Sequence, residues 1–362
     1  MKQTVRVLVV DDSAFARKVL CELLALALPG DRRVAVVGIA RDGLEALEKI
    51  AELRPDVITL DLVMPNLDGV GVLRALPPRS RSKTLIVSFS DAESELGVEA
   101  LQLGAFDLVH KPAALASVRL YEVRDELIRK VIAASDAQAG RAAAVAGEGE
   151  PLVAPPPASS RIDAVVIGTS TGGPQALTRF LTALPADFPV PLAIALHIPA
   201  GYTGALAHRL DGACAISVAE ARPGMALRPG LALIAPGGSH LALARRGGEV
   251  VADLGLEPSA RLPYVPSVDV LFESAARAFA GRVLAVVMTG MGEDGLAGAR
   301  AVREAGGLVL AEDQSSAVVY GMPRAVWEAG LAVARVPLDR LVPRTLQLLE
   351  RGADGVPASA PE

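Results

Sequence analysis

Residues 5–13 read Val-Arg-Val-Leu-Val-Val-Asp-Asp-Ser, a short apolar run that ends in two carboxylates. Valine-rich runs of this length are typical of parallel strands that are buried on both faces. The segment that follows, residues 13–28, places its apolar residues at helical spacing. The stretch therefore predicts a buried strand, an acidic turn and a helix, which together form one unit of an α/β fold.

The same unit is repeated up to about residue 134. Strands are predicted over residues 5–10, 34–39, 57–60, 84–87 and 107–109. Helices are predicted between them, for example over residues 13–28, 44–53 and 93–103. Strands that alternate with helices in this way predict a five-stranded parallel sheet in a doubly wound α/β domain, which we assign to residues 1–134.

A second α/β domain is predicted over residues 161–350. Its strands are expected at residues 164–167, 192–196, 231–234, 283–287 and 308–311. Residues 241–244 and 249–253 flank an Arg-Arg-Gly-Gly turn and predict an antiparallel hairpin beside a doubly wound, mostly parallel sheet. Residues 135–160 and 351–362 contain few large apolar side chains, so we expect a flexible linker and a disordered tail.

Composition narrows the class of protein. The 362 residues are 51% hydrophobic but only 3% aromatic, so aliphatic side chains must fill two cores. The net charge is −5 without a basic cluster, which argues against nucleic-acid binding. Cys21 and Cys214 lie far apart, which argues against a disulfide framework or a zinc site. The sequence has neither a signal peptide nor an apolar run of roughly 18 residues, so we expect a cytoplasmic protein that is not membrane-embedded.

Polar side chains collect at one edge of the first predicted sheet. Each of them follows a predicted strand: Asp11, Asp12, Asp61, Ser88 and Lys111. The carboxyl ends of parallel strands share an edge, so three carboxylates should converge where they can bind Mg²⁺. Asp61 could then attack phosphorus to form an acyl phosphate, while the lysine and serine side chains contact the phosphoryl group. The alternative is that these aspartates only cap helices.

Three motifs resemble a response-regulator receiver domain: Val-Asp-Asp-Ser at 10–13, Leu-Asp-Leu-Val-Met-Pro-Asn-Leu-Asp-Gly at 60–69 and Lys-Pro at 111–112. The resemblance implies a flavodoxin-like fold in which Asp61 is the phosphoacceptor. It further implies Mg²⁺ binding by Asp11, Asp12 and Asp61, and switch roles for Ser88 and Lys111. The chain departs from the pattern at Leu108, where receivers usually have an aromatic switch residue.

A glycine-rich turn marks the second domain. Residues 165–174 read Val-Val-Ile-Gly-Thr-Ser-Thr-Gly-Gly-Pro, a strand that runs into a turn and then a helix with Pro174 in its first turn. Ser170 should lie near backbone N–H groups, which stabilise anionic oxygen. Two interpretations follow, phosphate binding or a nucleophilic serine. No lysine follows the turn, so a P-loop is excluded.

A nucleophilic serine needs a base and a group that orients the base. His197 follows the strand at 192–196, and Asp294 lies downstream of the strand at 283–287. Both should lie at the same sheet edge as Ser170, where open α/β sheets place their sites. The other three histidines are rivals for the base: His110, His208 and His240. We rank His240 as the serious competitor, because His208 falls within a predicted helix and His110 within the first domain.

Five segments of the second domain resemble CheB, the chemotaxis family of protein-glutamate methylesterases: Gly-Thr-Ser-Thr-Gly-Gly-Pro at 168–174, Leu-His-Ile-Pro at 196–199, Val-Pro-Ser-Val-Asp-Val-Leu-Phe at 265–272, Met-Thr-Gly-Met-Gly-Glu-Asp-Gly at 288–295 and Tyr-Gly-Met-Pro at 320–323. The resemblance implies these roles: nucleophile Ser170, base His197, orienting carboxylate Asp294, and oxyanion donors Met291 N–H and Thr171. It implies no cofactor in the esterase site. The chain departs from the family at Val265, where a basic residue is more common.

The combined resemblance implies a phosphorylation-activated hydrolase. Its substrates would be glutamate methyl esters, and also glutamine amides, on methyl-accepting chemotaxis receptors. A CheA-type histidine kinase would be the phosphodonor, the unphosphorylated receiver would cover the Ser170 site, and a monomer is expected. The alternatives are a DNA-binding output, for which no basic recognition helix is visible, a non-catalytic phosphate- or nucleotide-binding output, and the same esterase in a non-chemotaxis system.

Overall fold

The structure is a computed structural model, and it describes residues 4–25, 33–77, 80–88, 94–111, 119–140, 161–255 and 264–353. Two compact units divide the chain, residues 1–146 and residues 147–362. We describe each unit by itself. None of the helices in the described ranges is both long and apolar enough to cross a membrane.

The first unit alternates strands and helices as the sequence predicts. Its elements are β1 Thr4–Val10, α1 Ala14–Ala25, β2 Arg33–Ala40, α2 Gly43–Leu53, β3 Val57–Leu60, α3 Gly69–Ala75, β4 Lys83–Ser88, α4 Ser94–Gln102, β5 Asp107–His110 and α5 Arg119–Gly140. The sheet order is β2-β1-β3-β4-β5 and every pairing is parallel. The predicted five-stranded parallel sheet is therefore confirmed.

The central strand of this sheet is β3, and all four of its residues are buried. Strand β2 lies at an edge and is only partly buried, as its position requires. Helix α5 continues to Gly140, past residue 134, where we place the start of the linker. Residues 137–139 are Ala-Gln-Ala, and the high helix propensity of these residue types favours this extension. The rest of the predicted linker lies outside the described residues.

The second unit is a larger α/β layer structure. Its elements are β6 Ala164–Thr169, α6 Gly173–Thr182, β7 Leu192–Leu196, α7 Tyr202–Ala213, β8 Ser217–Glu220, β9 Leu231–Ile234, β10 Ala242–Arg246, β11 Glu249–Asp253, α8 Val268–Ala278, β12 Val283–Val287, α9 Leu296–Glu304, β13 Leu308–Glu312, α10 Met322–Glu328, β14 Ala334–Val336 and α11 Leu338–Ala353. Strands β10 and β11 form the predicted antiparallel pair. The other seven strands form one parallel sheet.

The order of the seven strands places the site. It runs β14-β13-β12-β6-β7-β9-β8, so the chain leaves β6 toward β7 on one side and later returns to β12 on the other. Such a reversal opens a crevice at the carboxyl ends of the strands, where doubly wound sheets bind ligands. The turns after β6, β7 and β12 therefore converge at one crevice. These turns carry the predicted nucleophile, base and orienting carboxylate.

Candidate active site

Ser170 lies in a tight turn directly after β6. Its backbone N–H donates to the Thr289 carbonyl at 3.0 Å, and its own carbonyl accepts the Gly173 N–H at 2.7 Å. Gly172 has a φ of 78°, in the left-handed region that favours glycine, and this allows helix α6 to begin immediately. Ser170 itself is 7% exposed. The predicted strand–turn–helix around Ser170 is thus present, and both sides of the turn are fixed by hydrogen bonds.

His197 directly follows β7, the strand that pairs with β6. Its backbone N–H donates at 3.1 Å to the carbonyl of Thr169, the residue directly before Ser170 in the chain. The His197 Nε2 atom lies 2.8 Å from the Asp294 Oδ2 atom, and both side chains are largely buried. The structure thus brings the predicted base and its predicted orienting carboxylate into hydrogen-bonding contact. The remaining ring nitrogen, Nδ1, is buried without a hydrogen-bond partner among the described residues.

Asp294 is held by the N-terminus of α8. Its Oδ1 atom accepts the Ser267 hydroxyl at 3.0 Å and the Asp269 N–H at 3.1 Å, and its Oδ2 atom accepts the Val268 N–H at 2.8 Å. Burial opposes ionisation, but His197 and these N–H groups outweigh it and hold the pKa of Asp294 below its usual value. An ionised Asp294 requires a proton on His197 Nε2, which leaves the Nδ1 lone pair to act as base.

Asp269 caps the N-terminus of helix α9. Its Oδ1 atom accepts the N–H groups of Gly295 at 2.9 Å and Gly298 at 2.7 Å. Burial raises the pKa of Asp269 to about 6, with a further contribution from the neighbouring Asp294 charge and opposition from the two glycine N–H groups. Sequence reasoning assigned no role to Asp269, although it lies in one of the quoted motifs.

The raised pKa of Asp269 predicts a pH-dependent stability. Between about pH 4 and pH 6 the folded carboxyl keeps a proton that the unfolded chain loses, so this contribution is full below about pH 4 and is lost as the pH rises through 6. Asp269→Asn resembles the protonated form and cannot titrate. We therefore expect the free energy of unfolding of the parent, relative to the variant, to fall from pH 4 to pH 6 in urea titrations.

The comparison with Asp269→Asn has an internal control. His240 and Glu312 are present in both proteins, so their titrations largely cancel in the difference between the two free energies. Asp294 interacts with the Asp269 charge, so any change in its titration is part of the measured effect. A difference that stays constant across pH 4–8 would contradict the prediction.

The turn after β12 packs directly on Ser170. A Cβ atom added to Gly290 would lie 2.9 Å from the Ser170 Cβ atom, so only glycine allows this approach. The Thr289 hydroxyl donates to the Thr171 carbonyl at 2.9 Å and so joins the two turns. Met291, the predicted oxyanion donor, follows Gly290 in the chain. The backbone geometry therefore brings the predicted oxyanion segment and the nucleophile turn together.

A buried carboxyl group supports this junction. Glu312 ends β13 with no exposed surface, and it accepts the Thr289 N–H at 2.7 Å and the Ser316 hydroxyl at 2.9 Å. Burial raises its pKa, although these two donors lower it in part. Sequence reasoning missed Glu312. The available signal was its position directly after a predicted strand, the same kind of position that singled out Asp11 and Asp61 in the first domain.

His240, the rival base, has a supporting position. It is 1% exposed, and its Nδ1 atom accepts the Ser267 N–H at 3.2 Å. Burial lowers its pKa, although the charge of Asp294 acts in the opposite direction. His240 therefore holds the segment that binds Asp294, while His197 binds Asp294 itself. His208 lies in α7, as predicted.

Two residues of the loop before α8 complete this side of the site. The ring of Tyr264 stacks on His197, with ring centroids 4.2 Å apart and an interplanar angle of 8°. Sequence reasoning missed this residue, because no spacing rule links it to a histidine on another strand. Val265, where the family pattern has a basic residue, is half-buried and accepts the Gly238 N–H through its carbonyl at 3.3 Å.

In the first unit, the predicted acidic cluster forms at the edge of the sheet. The Lys111 Nζ atom lies 2.7 Å from Asp11 Oδ2 and 2.7 Å from Asp61 Oδ2, and all three side chains are buried. One carboxylate oxygen from each of Asp11, Asp12 and Asp61 lies within 4.8 Å of the others. Ser88 ends β4, is fully buried, and accepts the Lys111 N–H at 2.7 Å through its carbonyl. The five predicted positions therefore lie at one edge.

Leu108 occupies the predicted aromatic switch position. It lies in β5 and has no exposed surface. Its carbonyl accepts the Lys130 ammonium at 2.7 Å, and the same ammonium lies 3.2 Å from Asp107. The leucine is thus part of the strand core in this structure. Pro112, which follows Lys111 in the motif, lies outside the described residues.

Family models match both units. The model described as CheB methylesterase matches residues 165–345, and the model described as response regulator receiver domain matches residues 7–121. A Myxococcus xanthus protein named protein-glutamate methylesterase/protein-glutamine glutaminase 5 is 57% identical over 339 residues, which cover 93% of this chain and 96% of the relative. The chain belongs to the CheB family.

Further relatives agree with this membership. A Geobacillus kaustophilus protein named protein-glutamate methylesterase/protein-glutamine glutaminase is 44% identical over 351 residues, covering 96% of this chain and 99% of the relative. The crystal structure of the Thermotoga maritima CheB methylesterase catalytic domain matches with a TM-score of 0.50 and 39% identity, covering 52% of this chain and 98% of that domain. As a CheB family member, the chain joins a receiver unit to a methylesterase unit.

Proposed function

We propose that this CheB family member hydrolyses glutamate methyl esters on chemoreceptors, and glutamine amides at the same kind of site, when its receiver is phosphorylated. The observation that carries the proposal is the 2.8 Å contact between His197 Nε2 and Asp294 Oδ2, beside the Ser170 turn. A buried imidazole that is oriented by a carboxylate is what a serine nucleophile requires. The DNA-binding and non-catalytic alternatives offer no reason for this pair.

The proposed reaction is acyl transfer through Ser170. His197 Nδ1 accepts the Ser170 hydroxyl proton as the oxygen attacks the ester carbonyl carbon, and Asp294 stabilises the imidazolium. The carbonyl oxygen becomes an oxyanion, which the Met291 N–H and Thr171 bind. The C–O bond to the methoxy group then breaks, and the imidazolium returns its proton to release methanol. Water hydrolyses the acyl-enzyme by the same proton transfers, and a glutamine side chain would release ammonia instead.

Regulation would begin at Asp61. The clustered carboxylate oxygens of Asp11, Asp12 and Asp61 fit a Mg²⁺ ion, which prefers oxygen ligands and would neutralise phosphoryl charge when bound. The Asp61 carboxylate would attack phosphorus and displace the leaving group of the phosphodonor, a CheA-type histidine kinase. Lys111 already contacts Asp61 and would offset the added negative charge, while Ser88 offers a hydroxyl. Because the proposed substrates are cytoplasmic receptor domains, the protein would act in the cytoplasm. We expect it to act as a monomer.

The proposed function is tested by methanol release. The purified full chain is mixed with membranes that carry receptors methylated with a radioactive methyl group, and volatile methanol is counted with and without a small-molecule phosphodonor and Mg²⁺. We expect release above that of the membranes alone, and faster release with the phosphodonor. Membranes with a DNA-binding response regulator in place of this chain give the background. Release that never exceeds this background would refute the proposal.

Asp61→Asn should abolish the stimulation by the phosphodonor. The amide cannot attack phosphorus, whereas the Ser170 nucleophile and its predicted base belong to the second unit and keep their side chains. We therefore expect the methanol-release rate of the variant without phosphodonor to match that of the parent, and to stay unchanged when the phosphodonor is added. Asp125→Asn, on the exposed side of α5, is the matched control and should respond like the parent. Equal stimulation of Asp61→Asn and the parent would contradict the assignment of the phosphoacceptor.

A further inference from the structure

One face of the His197 imidazole is covered by an aromatic side chain that the triad mechanism does not use. The Tyr264 ring is nearly parallel to the imidazole, with centroids 4.2 Å apart. Tyr264 is half-buried and lies two residues before Pro266, in the segment that leads to α8. The same α8 N-terminus holds Asp294 through Ser267 and Val268. One segment therefore contacts both the predicted base and the carboxylate that orients it.

The hydroxyl end of Tyr264 lies against the turn that carries the predicted oxyanion donor. A Cβ atom added to Gly292 would lie 3.1 Å from the Tyr264 hydroxyl oxygen. Gly292 directly follows Met291. The tyrosine thus extends from the imidazole face to the oxyanion turn, and it forms a wall of the crevice that Gly292 and Asp294 also line.

The Asp294 contact and the stacked ring together restrict the orientation of the His197 imidazole and leave only its Nδ1 atom to act as base. The His197 Nε2 atom is bound to Asp294 and one ring face is covered by Tyr264, so a rotation that tilts the imidazole plane would break both contacts. The face of a phenol ring is electron-rich and attracts a cation. The imidazolium forms only after the Ser170 proton is transferred, so this attraction acts on the charged state that develops during the reaction.

We propose that Tyr264 is a positioning residue of the esterase site, which fixes the plane of His197 and stabilises its protonated form through the stacked ring. The proposal rests on the proposed function of Ser170 and His197. The proposal assigns different roles to the ring and the hydroxyl group of Tyr264. The ring should act on the base, whereas the hydroxyl should contribute only packing against the Gly292 turn.

Two variants test the aromatic ring and the hydroxyl group of Tyr264 separately. Tyr264→Leu removes the aromatic face but keeps an apolar side chain over His197, and Tyr264→Phe keeps the ring and removes the hydroxyl. For methanol release from methylated receptors, we expect Tyr264→Leu to lower kcat by about 3- to 30-fold with a smaller change in KM. The acid limb of its kcat/KM profile should move to lower pH by about half a unit or more. Tyr264→Phe should keep the pH profile of the parent.

A spectroscopic readout does not depend on turnover. The full chain has only four histidines, so labelling at their Cε1 atoms gives four NMR signals, and His197→Gln identifies one of them. The His197 signal should lose its ring-current shift in Tyr264→Leu, and its titration should move to lower pH by the same amount as the kinetic limb. If the leucine variant does not fold, Tyr264→Met supplies a flexible apolar side chain for the same comparison.

The outcomes distinguish the two proposals. If the parent releases no methanol but the His197 titration moves in Tyr264→Leu, the proposed function fails, while the effect of the Tyr264 ring on the His197 imidazole stands. If the parent releases methanol and Tyr264→Leu keeps the kcat, the pH profile and the NMR titration of the parent, the ring only fills space and the inference is overturned. A rise in KM with an unchanged kcat would also overturn the inference.

Discussion

Ser170→Ala should lower methanol release from methylated receptors by about 10⁶-fold in kcat, because the attacking oxygen is removed. The oxyanion turn stays in place, since the Ser170 backbone N–H, and not its side chain, donates to Thr289. The hydroxyl is also absent from the hydrogen bonds that hold the β6–α6 turn in the described structure. The free energy of unfolding should therefore change little, and receptor binding should persist while turnover is lost.

The matched control for this loss is Ser217→Ala. Ser217 is exposed on the edge strand β8, far along the sheet order from β6. Its alanine variant should release methanol at the rate of the parent. Release by Ser170→Ala at even a tenth of the parental rate, with the protein folded by circular dichroism, would remove Ser170 from the nucleophile role.

Asp294→Asn should lower kcat by about 10⁴-fold. The amide keeps one oxygen, but its NH₂ group cannot accept the proton of His197 Nε2, so the imidazole is pushed toward the other tautomer. The Nδ1 atom then carries the proton and can no longer act as base. The charge that stabilises the imidazolium is lost as well. Receptor binding should remain near that of the parent, because the group acts on the base and does not contact the ester.

Folding must be separated from chemistry for this variant, because Asp294 also accepts the N–H groups of Val268 and Asp269. Urea unfolding of Asp294→Asn measures this structural loss, and assays at a temperature well below its unfolding midpoint exclude it from kcat. Asp187→Asn, on an exposed loop, is the control and should behave as the parent does. A folded Asp294→Asn variant with parental kcat would show that Asp294 does not orient the base.

Much of the fold could be predicted from the sequence, because buried parallel strands have a local signature. β3, β7, β9 and β12 have the predicted bounds, since apolar runs of this kind are buried on both faces wherever they occur. The edge strands β8 and β14 were not predicted. They are short and only one neighbour pairs with each, so their sequences carry less of the apolar pattern.

The predicted site residues follow from the same regularity. Parallel strands end at one edge, so residues placed directly after strands, such as Asp61 and His197, are expected near one another without any knowledge of the angles between elements. Placement directly after a strand favoured His197 over His240 but did not exclude His240, because both are histidines with suitable chemistry. Asp269 received no role from the sequence, because its contact with α9 joins segments far apart in the chain.

The sequence by itself determined two parallel α/β units and the polar residues at the carboxyl ends of their strands, because continuous apolar runs and strand-end positions are local properties of the chain. Only the tertiary structure decided which carboxylate binds His197, which one caps α9, and that Tyr264 stacks on the imidazole. Those contacts join segments far apart in sequence. They depend on how α8 packs against α9 and on the close approach at Gly298, which no local pattern encodes.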